Sequence, residues 1–203
     1  MSSSSNAPLR VVVATGNPHK VDEIAAALRF TGWEFVSTAE LGGWDSPEET
    51  GTTFEDNARI KAQAAHERFG IASLADDSGL VVDALDGAPG VYSSRYGGEE
   101  ATDADNNAKL LRELADVSDE DRTARFRSVI VLIGEDGTET VASGACEGVI
   151  GREGRGNAGF GYDPLFRPTG TPGRTMAQLS MDEKNAISHR GAALMALREK
   201  LVG

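Results

Sequence analysis

Apolar and polar positions alternate along the first half of the chain in a strand-helix-strand-helix order, and give way to long strands later. "VVVAT", Val11 to Thr15, is an uninterrupted β-branched run of the kind carried by a strand buried on both faces, and "GNP" ends it. A helix is expected next. Asn17 is a good N-cap, Pro18 suits the first helical position, and Val21, Ile24, Ala25 and Leu28 recur at helical spacing. "WEFVST", Trp33 to Thr38, predicts a second strand, and a polar loop carrying "SPEETGTT" leads to a longer helix. Thr53 caps that helix with Asp56 three residues on, Phe54, Ala58, Ala62, Ala65 and Phe69 share one face, and Gly70 stops it. "IASLA" and "LVVDAL" then read as two short strands framing Asp76 and Asp77 at a strand end.

Past a glycine-rich loop, a helix is predicted from about Thr102 to Leu114, with Ala104, Ala108, Leu111 and Ala115 on one face. Two long strands follow, about Ala124 to Ile133 and Glu139 to Ile150, joined through "EDGT", whose Asp136-Gly137 pair signals an antiparallel hairpin. A Gly- and Pro-rich loop, Gly151 to Arg174, precedes a last helical region. That region is opened by a capping box at Ser180 and Glu183, and Ile187, Leu194, Leu197 and Leu201 supply its apolar face. The order predicts an α/β fold: a mixed sheet with helices packed on it. Connections are short, so residues 9–203 read as a single domain behind a disordered tail of residues 1–8, with two lobes separated by a cleft as the alternative.

Composition narrows the function. With 32 acidic against 20 basic residues the 203-residue chain carries a net charge of -12, which disfavours polymeric nucleic acid and anionic membranes. A local basic pocket holding one polyanionic small molecule beside a divalent cation stays compatible with that charge. No apolar run approaches the roughly 18 residues of a membrane span, and the N-terminus lacks the pattern of a secretion signal, so a cytoplasmic enzyme is expected. The single cysteine, Cys146, is expected as a small core residue.

Five stretches offer chemistry. "TGNPHK", Thr15 to Lys20, lies between a buried strand and a helix start, where free backbone N–H groups favour an anion; an ordinary capped helix with a solvated lysine is the other reading. It is not a Walker A loop, since the Gly-Lys-Ser/Thr ending is missing. The loop carboxylates Glu48 and Glu49, followed by Asn57 and Lys61 one turn apart on a helix, matter only if the fold brings one of them to Asp76 and Asp77. "LADDSGLVVD" itself reads either as a polar turn or as a place where a metal and a water are handled. "NAGFGYDPLF" interleaves glycine with Phe160, Tyr162 and Phe166, either a loop packed on the core or an aromatic wall for a planar base. "EKNAISHRG" clusters Lys184, Ser188, His189 and Arg190; one straight helix would splay them, and a break there, with Ser188 capping a new helix, would let them converge.

Together, "ATGNPHK", "EETGTTFEDNARIKA", "ADDSGLVVDALDGAPGVYSSRY", "GFGYDPLF" and "EKNAISHRGAAL" resemble, in order and spacing, the inosine triphosphate pyrophosphatase family, also called Ham1-like or non-standard purine nucleoside triphosphate pyrophosphatases. The resemblance implies a homodimer with an elongated mixed sheet flanked by helices, and two lobes with an active-site cleft between them. It implies Mg²⁺-dependent hydrolysis of ITP, dITP and XTP to the monophosphate and pyrophosphate. Carried over by motif, Thr15, Gly16, Asn17, Pro18, His19 and Lys20 hold the triphosphate, and Lys20 neutralises charge as the bond breaks. Glu48 and Asp77 bind metal, Asp77 also accepts the proton of the attacking water, and Asp76 shares metal or orients water. Ser78 contacts substrate; Phe160, Gly161, Tyr162, Asp163 and Lys184 line the nucleotide site; His189 and Arg190 read the 6-oxo group. A related triphosphatase with another main substrate and a purine sensor without hydrolysis are the alternatives, the second disfavoured by the intact carboxylate set.

Overall fold

The structure, a computed structural model, describes residues 8–15 and 18–203, with the backbone alone at Pro18, His19, Lys20 and Glu23. The proposed cap Asn17, its neighbour Gly16, the side chains of Pro18, His19 and Lys20, and nearly all of the N-terminal tail lie outside the described residues. The strands are β1 (Leu9–Val13), β2 (Trp33–Ser37), β3 (Ala72–Val82), β4 (Thr123–Ile133), β5 (Glu139–Ile150) and β6 (Phe166–Pro168), and they form one sheet in the order β2-β1-β3-β4-β5-β6. The helices are α1 (Pro18–Leu28), α2 (Phe54–Phe69), α3 (Asp103–Glu113), α4 (Met181–Ile187) and α5 (His189–Val202).

β1 runs parallel to both β2 and β3, whereas β5 and β6 are antiparallel. The predicted hairpin is present: Gly134 N–H donates to Thr138 O at 2.9 Å, and Ile150 N–H donates to Arg122 O at 2.9 Å at the far end of the same strand pair. Partners that descend along one strand while they ascend along the other define antiparallel pairing. Gly137, at φ 79°, occupies the left-handed turn position for which the sequence supplied a glycine. The sheet is therefore mixed.

The chain divides into two compact units: residues 1–77, 129–143 and 193–203 in the first, and 78–128 and 144–192 in the second. The first is built in three layers. Val11, Val13, Leu74, Ile130 and Leu132 on one face of its strands pack with Val21, Ile24 and Leu28 of α1 and with Ala193, Leu194 and Leu197 of α5. Val12, Ala14, Ala75, Val131 and Ile133 on the other face pack with Ala58, Ala62 and Ala65 of α2. Consecutive valines thus serve opposite faces, as the pleat requires of a strand covered on both sides. In the second unit Leu80, Val82, Phe126, Cys146 and Phe166 pack with Leu110 and Leu114 of α3. Cys146 is a core residue as expected, and burial pushes its thiol up to about 11.

Three expectations are corrected. "IASLA" and "LVVDAL" are one continuous strand, so Asp76 and Asp77 sit in the middle of β3 rather than at an end. The long loop from Gly151 contains the short edge strand β6. The buried face of α3 is Asn106, Leu110 and Leu114, while Ala104, Ala108 and Ala115 are exposed. The reason is tertiary: the Asn106 side chain accepts from Gly97 N–H at 2.6 Å and donates to Ser94 O at 3.1 Å, so a polar residue is buried with its bonds made.

Candidate active site

The first unit carries a buried ionic cluster, and α2 places half of it. Thr53 Oγ1 accepts from Asp56 N–H at 3.1 Å, and Gly70 closes the far end in the left-handed conformation at φ 67°. With the helix so bounded, Asn57 and Lys61, one turn apart, share a buried side of it. Both reach β3. Lys61 Nζ lies 2.8 Å from Asp77 Oδ1 and 3.0 Å from Glu49 Oε1, and Asn57 Nδ2 donates to Asp77 Oδ2 at 3.4 Å. Asn57 Oδ1 also accepts from Gly51 N–H at 2.8 Å, which anchors the loop that presents Glu49.

Electrostatics make this cluster more than a salt bridge. Burial pushes the Asp77 carboxyl above the usual carboxylate range, the nearby Glu49 adds to it, and Lys61 and Asn57 offset this only in part. Burial alone would lower the Lys61 ammonium, but Asp77 and Glu49 outweigh it and hold the group above its ordinary value. A carboxylate held basic inside a site is what proton abstraction from water needs. Side chains along β3 alternate: Ser73 and Asp77 both bond to α2, while Ala72 and Leu74 pack on the α1 and α5 side. Asp76, buried at 5% exposure, continues the second series and points away from Asp77.

The second unit holds a recess of about 180 Å³ lined by Ser78, Gly79, Ser93, Asp103, Phe126, Phe160, Gly161, Tyr162, Asp163, Lys184, His189 and Arg190, among others. It is smaller than the roughly 300–1,000 Å³ of pockets that take a whole ligand, and suits one planar ring system. Ser78 and Gly79 follow Asp77 directly in β3. The three aromatics of the "GFGYDPLF" stretch divide: Tyr162 and Phe166 are buried, while Phe160 is 70% exposed. Asp163, buried at 4% exposure, accepts from Phe160 N–H at 3.1 Å and pairs with Lys184, whose Nζ lies 5.1 Å from the Phe160 ring centre. The last helical region does break, and Ser188 does cap the second helix: its Oγ accepts from Gly191 N–H at 2.9 Å. His189 and Arg190 thereby occupy the first turn of α5. The His189 ring stacks on Phe126 at 5.2 Å with an interplanar angle of 18°.

The predicted residues are placed as follows. Asp77 meets Lys61 and Asn57, and Lys61 joins it to Glu49; Ser78, Phe160, Gly161, Tyr162, Asp163, Lys184, His189 and Arg190 line the recess. Glu48 is exposed, and Glu49 is the loop carboxylate that Lys61 ties to Asp77. Thr15 follows β1 with its carbonyl accepting from Thr38 Oγ1 at 3.2 Å. Phe126 and Asp103 carried no signal in the sequence as site residues, being a strand phenylalanine and a helix-start aspartate that only the fold brings to the recess. Among the described residues no group of three His, Cys, Asp or Glu side chains is gathered to hold a metal ion by itself.

The model of the Ham1 family matches residues 11–200. The chain is 52% identical over 194 residues to a dITP/XTP pyrophosphatase of Salmonella paratyphi A, covering 95% of this chain and 98% of that one. It is 50% identical over 194 residues to a protein of the same name from Haemophilus influenzae, with the same coverage. A solved HAM1 protein from Coxiella burnetii superposes with a TM-score of 0.88 at 45% identity, covering 96% of this chain and 98% of that chain. A nucleoside-triphosphatase/dITP/XTP pyrophosphatase from Mycobacterium abscessus superposes with a TM-score of 0.81 at 46% identity over 93% and 98% of the two chains.

Proposed function

The chain belongs to the Ham1 family, and we propose from that premise and from its side chains that it hydrolyses non-standard purine nucleoside triphosphates, dITP, ITP and XTP, to the monophosphate and pyrophosphate. The observation that carries the reading is the buried Asp77, raised above the usual carboxylate range and held by Lys61, immediately followed in the chain by Ser78 and Gly79 of the aromatic recess.

In this reading the water oxygen attacks the α-phosphorus, its proton passes to Asp77, and the bond from that phosphorus to the bridging oxygen breaks as pyrophosphate leaves. Because such a transition state spreads charge over phosphoryl oxygens, positioned cations do most of the work. We assign that task to Lys20, with the segment from Thr15 to His19 holding the phosphates at the start of α1. Lys61 keeps Asp77 in place and matched to Glu49. Asp76, on the α1 side of β3, acts as the second carboxylate at the phosphate end.

The donor set fits Mg²⁺. Asp77 and Glu49, joined through Lys61, are hard oxygen ligands, with Glu48 beside Glu49 in the same loop, and Mg²⁺ takes a few such oxygens and completes its shell with waters and substrate phosphates. When bound it would neutralise charge on the phosphoryl oxygens. The purine stacks on Phe160, and His189 and Arg190 donate hydrogen bonds to its 6-oxo oxygen. A 6-amino group would set donor against donor there, which rejects ATP. Homodimeric assembly and a cytoplasmic location complete the proposal.

Purified protein with Mg²⁺ is expected to release pyrophosphate from dITP and XTP far faster than from ATP. Release of single phosphates, or no turnover, would overturn the reading.

A further inference from the structure

The loop that presents Phe160 is held at several points. Phe160 N–H is bonded by Asp163 at 3.1 Å, and the Tyr162 hydroxyl donates to Ser93 O at 2.8 Å. Between them, both polar groups of the Gly161 residue are taken by one helix. Asp103 Oδ2 accepts from Gly161 N–H at 2.6 Å, and Asn107 Nδ2 donates to Gly161 O at 2.8 Å. Asp103 and Asn107 are one turn apart on α3, so their side chains stand side by side on the same face. A carboxylate accepting from an amide is a charge-assisted bond, stronger than a neutral one.

Two features say that this clamp serves more than the loop's own stability. Phe160 remains 70% exposed although the backbone on both sides of it is fixed, which makes it a rigid aromatic face, with Lys184 Nζ 5.1 Å from its ring centre and most of the ring open. Asn107 Oδ1 is buried with no hydrogen-bond partner among the described residues. A buried unpaired acceptor is unfavourable, and a polar side chain that carries one is tolerated where its other bonds serve a purpose. Gly161 itself sits at φ 58°, a left-handed conformation that a clamp on both its N–H and its C=O would hold in a single setting.

We propose that Asp103 and Asn107 are positioning residues for purine recognition: by gripping both polar groups of Gly161 they fix the angle at which Phe160 meets the base. Both act through the loop that presents Phe160, so the effect falls on binding of the base and not on the chemical step. The proposal rests on the reading above that the recess takes a purine.

The test measures KM and kcat for dITP, and competitive inhibition by inorganic tripolyphosphate, in Asp103→Leu, Asp103→Asn, Asn107→Leu and Phe160→Ala. Loss of one charge-assisted bond is expected to raise KM for dITP about tenfold in Asp103→Leu, with kcat and the tripolyphosphate inhibition constant unchanged. Asp103→Asn keeps an acceptor for Gly161 N–H and should restore KM to within about twofold of the parent. Asn107→Leu should raise KM in the same direction, and it keeps the test informative if Asp103→Leu does not fold. If Phe160→Ala raises KM while both leucine variants leave it unchanged, the clamp is refuted and base stacking stands. If Phe160→Ala also leaves KM unchanged, the base-binding reading fails and the clamp falls with it. A weakening of tripolyphosphate equal to that of dITP would make these residues merely structural.

Discussion

Replacing Lys61 with methionine removes one charge from the centre of the ionic cluster while keeping a straight apolar stem of similar length. Lys61 Nζ lies 2.8 Å from Asp77 Oδ1 and 3.0 Å from Glu49 Oε1. At an effective dielectric of about 20 each contact corresponds to about 5–6 kcal/mol of Coulomb attraction. Most of that is offset because the ammonium no longer has to be desolvated, and removing one partner of a buried pair typically leaves a net loss of about 3–5 kcal/mol. Asp77 and Lys61 lie at the rim of burial, at 9% and 8% exposure, so the lower end, about 3 kcal/mol, is expected. For a chain of this length that is a fall in Tm of roughly 6–12 °C at pH 8.

The pH dependence carries the sign. Asp77 already has a folded-state carboxyl above its ordinary range, and without Lys61 it rises further. A group whose folded pKa is raised binds its proton more tightly folded than unfolded, so stability is present at low pH and lost as pH climbs through the folded value. The melting deficit of Lys61→Met should therefore shrink between pH 8 and pH 5. Adding Asp77→Asn should recover most of it at pH 8, since the lone buried charge is then gone. Differential scanning fluorimetry across that range checks all three. An unchanged Tm at pH 8, or a deficit that grows as the pH is lowered, would refute the account of the cluster.

Asp77→Asn alone should abolish turnover while isothermal titration with dITP still shows binding; retained turnover would remove Asp77 as the proton acceptor. Because Asp77 must be ionised to take a proton, the acid limb of the pH–rate profile should fall as pH drops through its raised pKa, and kcat/KM measured in Lys61→Met should place that limb at higher pH. Phe160→Ala should raise KM for dITP by roughly tenfold or more with little change in kcat, since one base-stacking contact is worth about 1–3 kcal/mol. Arg122, at 2% exposure, donates to the carbonyls of Leu114, Ile150 and Gly151 at 2.5, 2.9 and 3.0 Å. Arg122→Met strands three acceptors and should cost about 3 kcal/mol of stability, seen as a lower urea midpoint, without altering KM for dITP.

Where a sequence signal is local chemistry, the fold was legible in it. Thr53 and Gly70, Thr102, and Ser180 with Glu183 each bound a helix through bonds between near neighbours, and the helices start and stop there. Ser188 was legible as a break for the same reason. The misreadings arise where a distant partner decides. Asp76-Asp77-Ser78-Gly79 has the composition of a turn, yet β3 runs through it because Asn57 and Lys61 of α2 supply partners that a free turn would find in water. Asn106 is buried on α3 only because Gly97 and Ser94 come to it. β6 is three residues ending in a proline, too short to carry an alternation. In the candidate site the polar motifs were visible, but the choice of Glu49 over Glu48 as the residue tied to Lys61 depends on how Gly51 is anchored by Asn57. Phe126 and Asp103 belong to the recess through tertiary placement alone.

The central claim is that water activated at Asp77 attacks the α-phosphorus of a 6-oxo purine triphosphate. Hydrolysis of dITP in water enriched in heavy oxygen, followed by mass spectrometry of both products, tests it most directly. The account predicts the label in the nucleoside monophosphate and none in pyrophosphate. Label in the pyrophosphate, or products that are a diphosphate and single phosphate, would contradict it.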